Sequence, residues 1–163
     1  MGFWDKVKLF FGGHGVTAEF TEIEGQSVRG DVYFPVTDTV LKGHVRITGT
    51  KEVTILSHDY EVYLEENDED GESVLVAEDS HDASTDIIGG DLTWPYTLKP
   101  GDVIEDSFCI TDVDLEEACA QLGIDDPYYV VDHSYYRFYV KFTADVKGTA
   151  LDADDEFEID LTD

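Results

Sequence analysis

Most of the chain alternates hydrophobic and polar residues with a period of two. The longest such run covers residues 136–147, in which every second residue from Tyr136 to Val146 is hydrophobic and points one way. This alternation is typical of antiparallel strands that bury one face of a sheet and expose the other. Shorter runs of the same kind lie at 16–21, 28–34, 44–48 and 60–65.

Turn-forming residues separate these runs and define further strands. Asp70-Gly71 predicts a tight hairpin, and Pro100-Gly101 predicts a turn before a strand at 103–110. A strand at 73–77 and a closing strand at 157–161 complete the pattern. About seven to nine short strands with turns between them predict an all-β, immunoglobulin-like antiparallel sandwich.

Two short helices interrupt the strand pattern. Residues 1–11 predict an amphipathic helix that ends at Gly12-Gly13, so we divide the chain into a helix at 1–13 and one sandwich domain at 14–163. A second helix is predicted at 114–122, capped by Asp112 or Asp114 and ended by Gly123. The apolar side chains of the first helix are Phe3, Trp4, Val7, Phe10 and Phe11.

Length and composition agree with one domain. The chain has 163 residues, of which 42% are hydrophobic, and this is enough to form a single core. No apolar run approaches the roughly 20 residues that span a bilayer, and no leader pattern is evident, so we expect a cytoplasmic protein. Cys109 and Cys119 are ten residues apart and are expected to be two buried thiols, with no disulfide and no zinc motif.

The net charge of −28 changes the expected partners. Residues 52–98 and 100–136 contain no Lys or Arg, so phosphate backbones would be repelled and nucleic acid is excluded as a partner. The acidic residues are spread over the whole chain, which favours adaptation to high salt over one specific cation site.

Several segments, taken in order, resemble the bacterial and archaeal sporulation-control protein family, which has an arrestin-like fold. They are Met1 to Lys8; Val40-Leu-Lys-Gly-His-Val-Arg-Ile-Thr-Gly49, followed by Glu52 and a long strand ending near Leu64; and Leu98-Lys-Pro-Gly-Asp102 with Phe108. The last group is Tyr139-Val-Lys, Ala144-Asp-Val146, Ala150-Leu-Asp152 and Phe157 to Leu161. The resemblance implies a non-enzymatic, cytoplasmic regulatory or scaffold protein. Arrestin-like proteins usually carry two such sandwiches, and this chain has room for one.

One acidic segment resembles the start of a calcium loop. Glu66, Asp68 and Asp70 alternate before Gly71, as in a helix-loop-helix site. That motif needs Glu at its twelfth position, where this chain has Ala77, and the flanking residues predict strands. A solvated hairpin is therefore favoured, and a calcium-binding acidic sandwich is kept as the alternative function.

The histidines give no enzyme signature. The five are scattered, none has a His four residues away or a nearby Cys, and His58 and His133 are expected to be ordinary strand-edge residues. Ser134 beside His133 is not a triad, because neighbours in a strand face opposite ways. No nucleotide or hydrolase motif occurs, so we expect neither catalysis nor a cofactor; an enzyme is the third alternative.

The expected mode of action is therefore recognition of a protein partner or self-association. Sheet edges can accept a partner strand, and the N-terminal helix could bind a partner's groove or make weak membrane contact. Packing of that helix against the sandwich is slightly favoured. Five tyrosines form a further cluster that is expected to be partly core and partly exposed: Tyr128, Tyr129, Tyr135, Tyr136 and Tyr139.

Overall fold

The structure is a computed structural model that describes residues 15–83, 93–131, 135–148 and 153–163, with side chains described from Glu156 onward in the last segment. Two sheets pack face to face as a β-sandwich. In chain order the strands are β1 Val16–Ile23, β2 Gln26–Ser27, β3 Tyr33–Pro35, β4 Leu41–Gly49, β5 Val53–Glu66, β6 Ser73–His81, β7 Tyr96–Leu98, β8 Val103–Ile110, β9 Tyr136–Val146 and β10 Ala153–Thr162.

The first sheet has the order β2-β1-β4-β8, and the second has the order β3-β10-β9-β5-β6. The short strand β7 pairs with the start of β5, on the side where β6 pairs with the rest of that strand. Within the described residues, the edge strands are therefore β2 and β8 in one sheet and β3 and β6 in the other. The long strand β5 pairs along its other side with β9 over residues 55–66.

The core lies between the two sheets, as the period-two pattern predicted. In β9 the hydrophobic residues from Phe138 to Val146 are buried, and β4 buries Leu41, Val45 and Ile47. Phe20 of the first sheet contacts Phe157 of the second at a ring separation of 6.1 Å. Such burial contributes about 25 cal/mol per Å² of apolar surface, which makes it the main stabilising contribution to the sandwich.

The second predicted helix is confirmed. It is α1, Leu115–Gln121, and the side chain of Asp114 caps it by accepting a hydrogen bond from the Glu117 backbone N–H. Gly123 follows in a left-handed conformation with φ of 78°, which glycine adopts without strain. A single turn of 3₁₀ helix follows at Pro127–Val130.

The region 28–34 differs from the predicted strand. Val28 and Val32 are buried as expected, but only Tyr33–Pro35 is a strand, and it pairs in parallel with β10. The side chain of Gln26 donates to the Tyr33 carbonyl and accepts from the Tyr33 N–H, replacing strand partners there. The alternation in residues 28–34 therefore reflects which side chains are buried, and the segment does not form one continuous hydrogen-bonded strand.

Strand boundaries differ elsewhere for related reasons. β5 begins at Val53 and not at Tyr60, and β6 continues past Ala77 to His81. The short strand β7 was not predicted. The described residues contain ten strands in all. A bulge between Ile55 and Ser57 changes the phase of the alternation in β5. Opposite Val62 and Tyr63, the pairing skips Val76, which changes the phase in β6.

The N-terminal helix of residues 1–11 and the proposed boundary at 13 lie outside the described residues. None of the described helices combines the length and apolar character that crossing a bilayer requires.

Candidate functional site

A buried polar network occupies the core between the two sheets. His58 and Tyr60 lie on the face of β5 that also carries Val62 and Leu64. Asp106 lies opposite them, on the buried face of β8. The side chains of His58 and Asp106 are 0% and 1% exposed, so their polar atoms need partners within the protein.

Oδ2 of Asp106 accepts three hydrogen bonds. His58 donates from Nδ1 over 2.7 Å, and Tyr60 donates from its hydroxyl over 2.6 Å. His81, at the end of β6, donates from Nδ1 over 2.9 Å. Side chains from three strands, β5, β6 and β8, therefore meet at one carboxylate oxygen.

The outer nitrogens of both imidazoles are also paired, and their partners fix the proton positions. A carboxylate can only accept, so His58 carries its proton on Nδ1, and its Nε2 accepts from the Tyr96 hydroxyl over 2.6 Å. His81 faces carboxylates on both sides, because its Nε2 lies 3.2 Å from Oδ2 of Asp79. This arrangement suits an imidazolium at His81 and a neutral ring at His58.

The shifts in pKa follow from this geometry. The hydrogen bond to Asp106 raises the pKa of His81 against the effect of partial burial, while burial lowers the pKa of His58 despite its bond to the same carboxylate. Burial opposes ionisation of Asp106, yet the hydrogen bonds from His58 and His81 hold its pKa well below the usual range. Asp106 is therefore an anion at neutral pH.

Aromatic rings enclose the network. The Phe108 ring stacks on Tyr60 with centroids 4.6 Å apart, and the rings of His58 and Trp94 are nearly perpendicular with centroids 4.7 Å apart. Phe108 has room because its partner across the strands is Gly43, where an added Cβ would lie 2.6 Å from Phe108 Cζ. The glycine thus allows the ring to close the site on this side.

His81 connects the network to the surface. Its side chain is 20% exposed and lines a groove of about 570 Å³, together with Asp79, His44, Ser107 and Cys109. Glu22 and Glu24 line the same groove, whose wall also includes Phe108. Solvent therefore reaches one side of a network whose other members are buried.

A second constellation lies on the outer side of this groove. The Ser107 hydroxyl is 3.2 Å from His44 Nδ1, and His44 Nε2 is 3.9 Å from Glu22 Oε1. The His–Glu separation is longer than a hydrogen bond, and both side chains are more than 40% exposed. Water competes for every group, so this arrangement does not orient or activate the serine as a nucleophile.

The sequence predicted site residues other than those of this network. Phe3, Trp4, Val7, Phe10 and Phe11 lie outside the described residues. Glu66, Asp68 and Asp70 lie at the hairpin between β5 and β6, where Asp68 accepts a hydrogen bond from the Tyr135 hydroxyl. Both flanking segments are strands, as predicted, and calcium binding there stays a prediction.

Two sequence interpretations were wrong. His58 is not at a strand edge, because β5 has partners on both sides and its inner face is buried. Cys109 is exposed on the outer face of edge strand β8, whereas Cys119 is buried as expected; both are free. The alternation in the sequence could have indicated that His58, Tyr60 and Asp106 are buried, because each lies on the same strand face as hydrophobic residues.

Comparison with known proteins gives a structural likeness alone. No family model matches the sequence, and no curated protein matches it. The crystal structure of Spo0M, a sporulation control protein from Bacillus subtilis, is similar with a TM-score of 0.58 at 17% identity. The superposition covers 91% of this chain and 50% of that one, so the chain spans about half of Spo0M. This agrees with the predicted sandwich and shows a shared fold.

Proposed function

We propose that this protein is a non-enzymatic regulatory or scaffold protein of the sporulation-control type, acting through protein–protein contacts. The observation that carries the proposal is the likeness to Spo0M, which extends over 91% of the chain. Fold alone does not determine function, so the proposal also needs support from the surface and the interior. The resemblance of ordered sequence segments supports the same assignment.

The interior supports a structural use of the polar residues. Oδ2 of Asp106 is already occupied by three donors, and His58 is closed off by Tyr96. A general base must instead reach a substrate proton within hydrogen-bond distance. The network joins the two sheets and favours one packing of them over others.

A surface patch supports recognition of a protein. We define the tyrosine patch as Tyr128, Tyr129, Tyr135 and Tyr136, in which Tyr136 contacts the rings of both Tyr129 and Tyr135. Tyr128, Tyr129 and Tyr135 are each about half exposed. Tyrosine is enriched at protein interfaces because it buries a large apolar ring and keeps a hydroxyl for hydrogen bonding. Asp68 at its border, on a chain of net charge −28, favours a partner with basic side chains.

The test is capture of partners from source cells at their native salt concentration, followed by reconstitution with the purified partner. Three variants are compared with the intact chain: the double variant Tyr128→Ser/Tyr135→Ser, a chain lacking residues 1–11, and the control Tyr33→Ser. Tyr33 is a suitable control because it is 48% exposed, like Tyr128, and belongs to no ring contact of the patch. We expect the double variant to weaken the Kd at least about 10-fold and the control to leave it unchanged.

Loss of the partner on deletion of residues 1–11 alone would assign recognition to the N-terminal segment and retain the scaffold function. A chain that captures no partner in any form, and turns over a small molecule instead, would overturn the proposal.

A further inference from the structure

We propose that His58, His81 and Asp106 form a binding site for one divalent transition-metal ion of the zinc class, linking the two sheets of the sandwich. This inference stands independently of the regulatory function, because it rests only on the donor atoms and their partners. The site would be a structural or regulatory ion site inside the domain, distinct from the acidic hairpin at Glu66 to Asp70.

The donor atoms are close enough to share an ion. One donor atom from each of His58, His81 and Asp106 lies within 4.8 Å of the other two. Zinc binds imidazole nitrogen and carboxylate oxygen at about 2.0–2.2 Å, which places tetrahedral ligands about 3.3 Å apart. The two nitrogens lie 2.7 and 2.9 Å from Oδ2, so each pair needs to open by only about 0.5 Å.

The chemistry of the donor set selects the metal. Two imidazoles and one carboxylate suit zinc and its first-row neighbours, whereas calcium and magnesium prefer oxygen ligands alone. Oδ2 of Asp106 is the acceptor in all three of its hydrogen bonds, which is the role of a carboxylate oxygen that can also bind a metal ion. The large negative charge of the chain also raises the local concentration of cations.

The outer partners are those that metal-binding histidines require. A ligating imidazole donates its second N–H to a carboxylate or another acceptor, which fixes the ring. Asp79 lies 3.2 Å from Nε2 of His81, and the Tyr96 hydroxyl lies 2.6 Å from Nε2 of His58. On binding, His81 releases its Nδ1 proton to solvent in the groove and keeps its Nε2–H on Asp79. The His58 proton moves from Nδ1 to Nε2 and is donated to the Tyr96 oxygen, while the Tyr96 hydroxyl proton rotates away from the ring. Both rings then present a free Nδ1 to the ion.

The groove provides access for the ion and a place for a fourth ligand. His81 and Asp79 both line it, and the ring of His81 is the exposed member of the triad. A water molecule from the groove would complete four coordination, with Tyr60 retaining its hydrogen bond to the Asp106 carboxylate. His58 and Asp106 would hold the ion from the buried side.

The experiment uses the full-length, untagged protein, stripped with a chelator and kept in about 1 M KCl with excess Mg²⁺. The salt and Mg²⁺ suppress adventitious binding to the many surface carboxylates. Zinc sulfate is titrated by calorimetry, and Co²⁺ serves as a spectroscopic probe because tetrahedral coordination gives intense visible bands. We expect one Zn²⁺ per chain, a raised melting temperature, and no comparable effect of Ca²⁺.

Three single variants locate the site. His81→Gln should weaken zinc binding at least about 100-fold, and Asp79→Asn, which removes the negative charge of the outer partner of His81, about 10–100-fold. His44→Gln is the matched control, because His44 lines the same groove without belonging to the triad, and it should bind zinc as the wild type does. All three positions are at least partly exposed, so the variants should fold.

Nitrogen-15 spectra of the wild-type histidines provide a measurement that does not depend on a variant. Zinc should shift the Nδ1 resonances of His58 and His81 and leave those of His44 unchanged. A wild-type chain that binds zinc no more tightly than Mg²⁺, zinc affinity retained in His81→Gln, or shifts confined to other histidines would each overturn the proposal.

Discussion

Nδ1 of His58 donates to Oδ2 of Asp106 over 2.7 Å, and this bond crosses from one sheet of the sandwich to the other. Both side chains are fully buried, so neither can exchange its partner for water. Removing one partner of such a pair leaves the other desolvated and unpaired, which costs several kcal/mol. The packing of one sheet on the other therefore depends on the hydrogen bond between His58 and Asp106.

The Tyr60 hydroxyl should contribute measurably to stability. Tyr60→Phe leaves the ring packing intact but removes one of three donors to Asp106, so we expect a loss of about 2 kcal/mol in the free energy of unfolding. Tyr63→Phe is the matched control, because its hydroxyl binds Glu61 on a partly exposed face and its loss should cost about 0.5 kcal/mol or less. Urea unfolding of both variants measures the difference. Equal losses would show that the buried bond adds nothing beyond a surface contact.

Gly43 should be intolerant of a side chain. A Cβ there would lie 2.6 Å from both the Glu22 carbonyl oxygen and Phe108 Cζ, which forces the backbone or the ring to move. We expect Gly43→Ala to lower the free energy of unfolding by about 2 kcal/mol, a typical cost of overpacking. Gly30→Ala is the control, since no atom lies within 4 Å of its added Cβ, and it should unfold like the wild type. Thermal unfolding with wild-type stability for Gly43→Ala would contradict the packing described.

The two thiols should react at very different rates. Cys109 is exposed on β8, whereas Cys119 is buried in α1, where burial and nearby Asp126 raise the pKa of its thiol to about 11. The thiolate is the reactive form, so a disulfide reagent should modify one thiol per native chain at pH 8 and the second only in denaturant. Cys109→Ser should abolish the fast reaction. Two fast thiols in the native protein would contradict the burial of Cys119.

Tyr63 should ionise late in an alkaline titration. Burial and the hydrogen bond to Glu61 raise the pKa of Tyr63 to about 12. Because the folded pKa exceeds the unfolded value near 10, this stabilisation is complete below pH 10 and is lost as pH rises through 12. The tyrosinate absorbance of the wild type minus that of Tyr63→Phe should show the step near pH 12. Glu61→Gln should move this step toward pH 10; a step that stays in place would contradict the role of Glu61.

Salt should stabilise the fold. With 38 acidic and 10 basic residues, like charges repel across the whole surface, and added KCl screens that repulsion. We expect the melting temperature to rise steadily from 0.1 M towards molar KCl, and calorimetric scans at constant pH measure this. A melting temperature that falls over the same range would rule out adaptation to high salt.

Particular strands show how far the alternation pattern could be used. The run in β9 was predicted almost residue for residue, because its alternation is unbroken and every second side chain enters the core. β5 was predicted only from Tyr60 onward, because the bulge between Ile55 and Ser57 interrupts the phase of the pattern before that residue. The parallel pairing of β3 with β10 had no local signal, since it joins segments more than 120 residues apart.

The polar network was detectable in part. His58 and Tyr60 alternate in step with Val62 and Leu64 of the same strand, and Asp106 alternates in step with Phe108. The sequence therefore indicated polar side chains on the buried faces of both β5 and β8. His81 has no such signal, because residues 78–81 are all polar and no hydrophobic residue of β6 after Ala77 marks the buried side. Its place beside Asp106 follows from the pairing of His81 with His58 across β5 and β6.

The sequence by itself determined the β-sandwich class, the capped helix after β8 and the acidic surface, because each depends on local periodicity, local capping or composition. Only the tertiary structure decided which strands are neighbours and that residues 58, 81 and 106 meet at one oxygen atom. The reason is physical: a hydrogen bond forms over less than 3 Å between groups that are 25 and 48 residues apart, and nothing in either local segment encodes that distance.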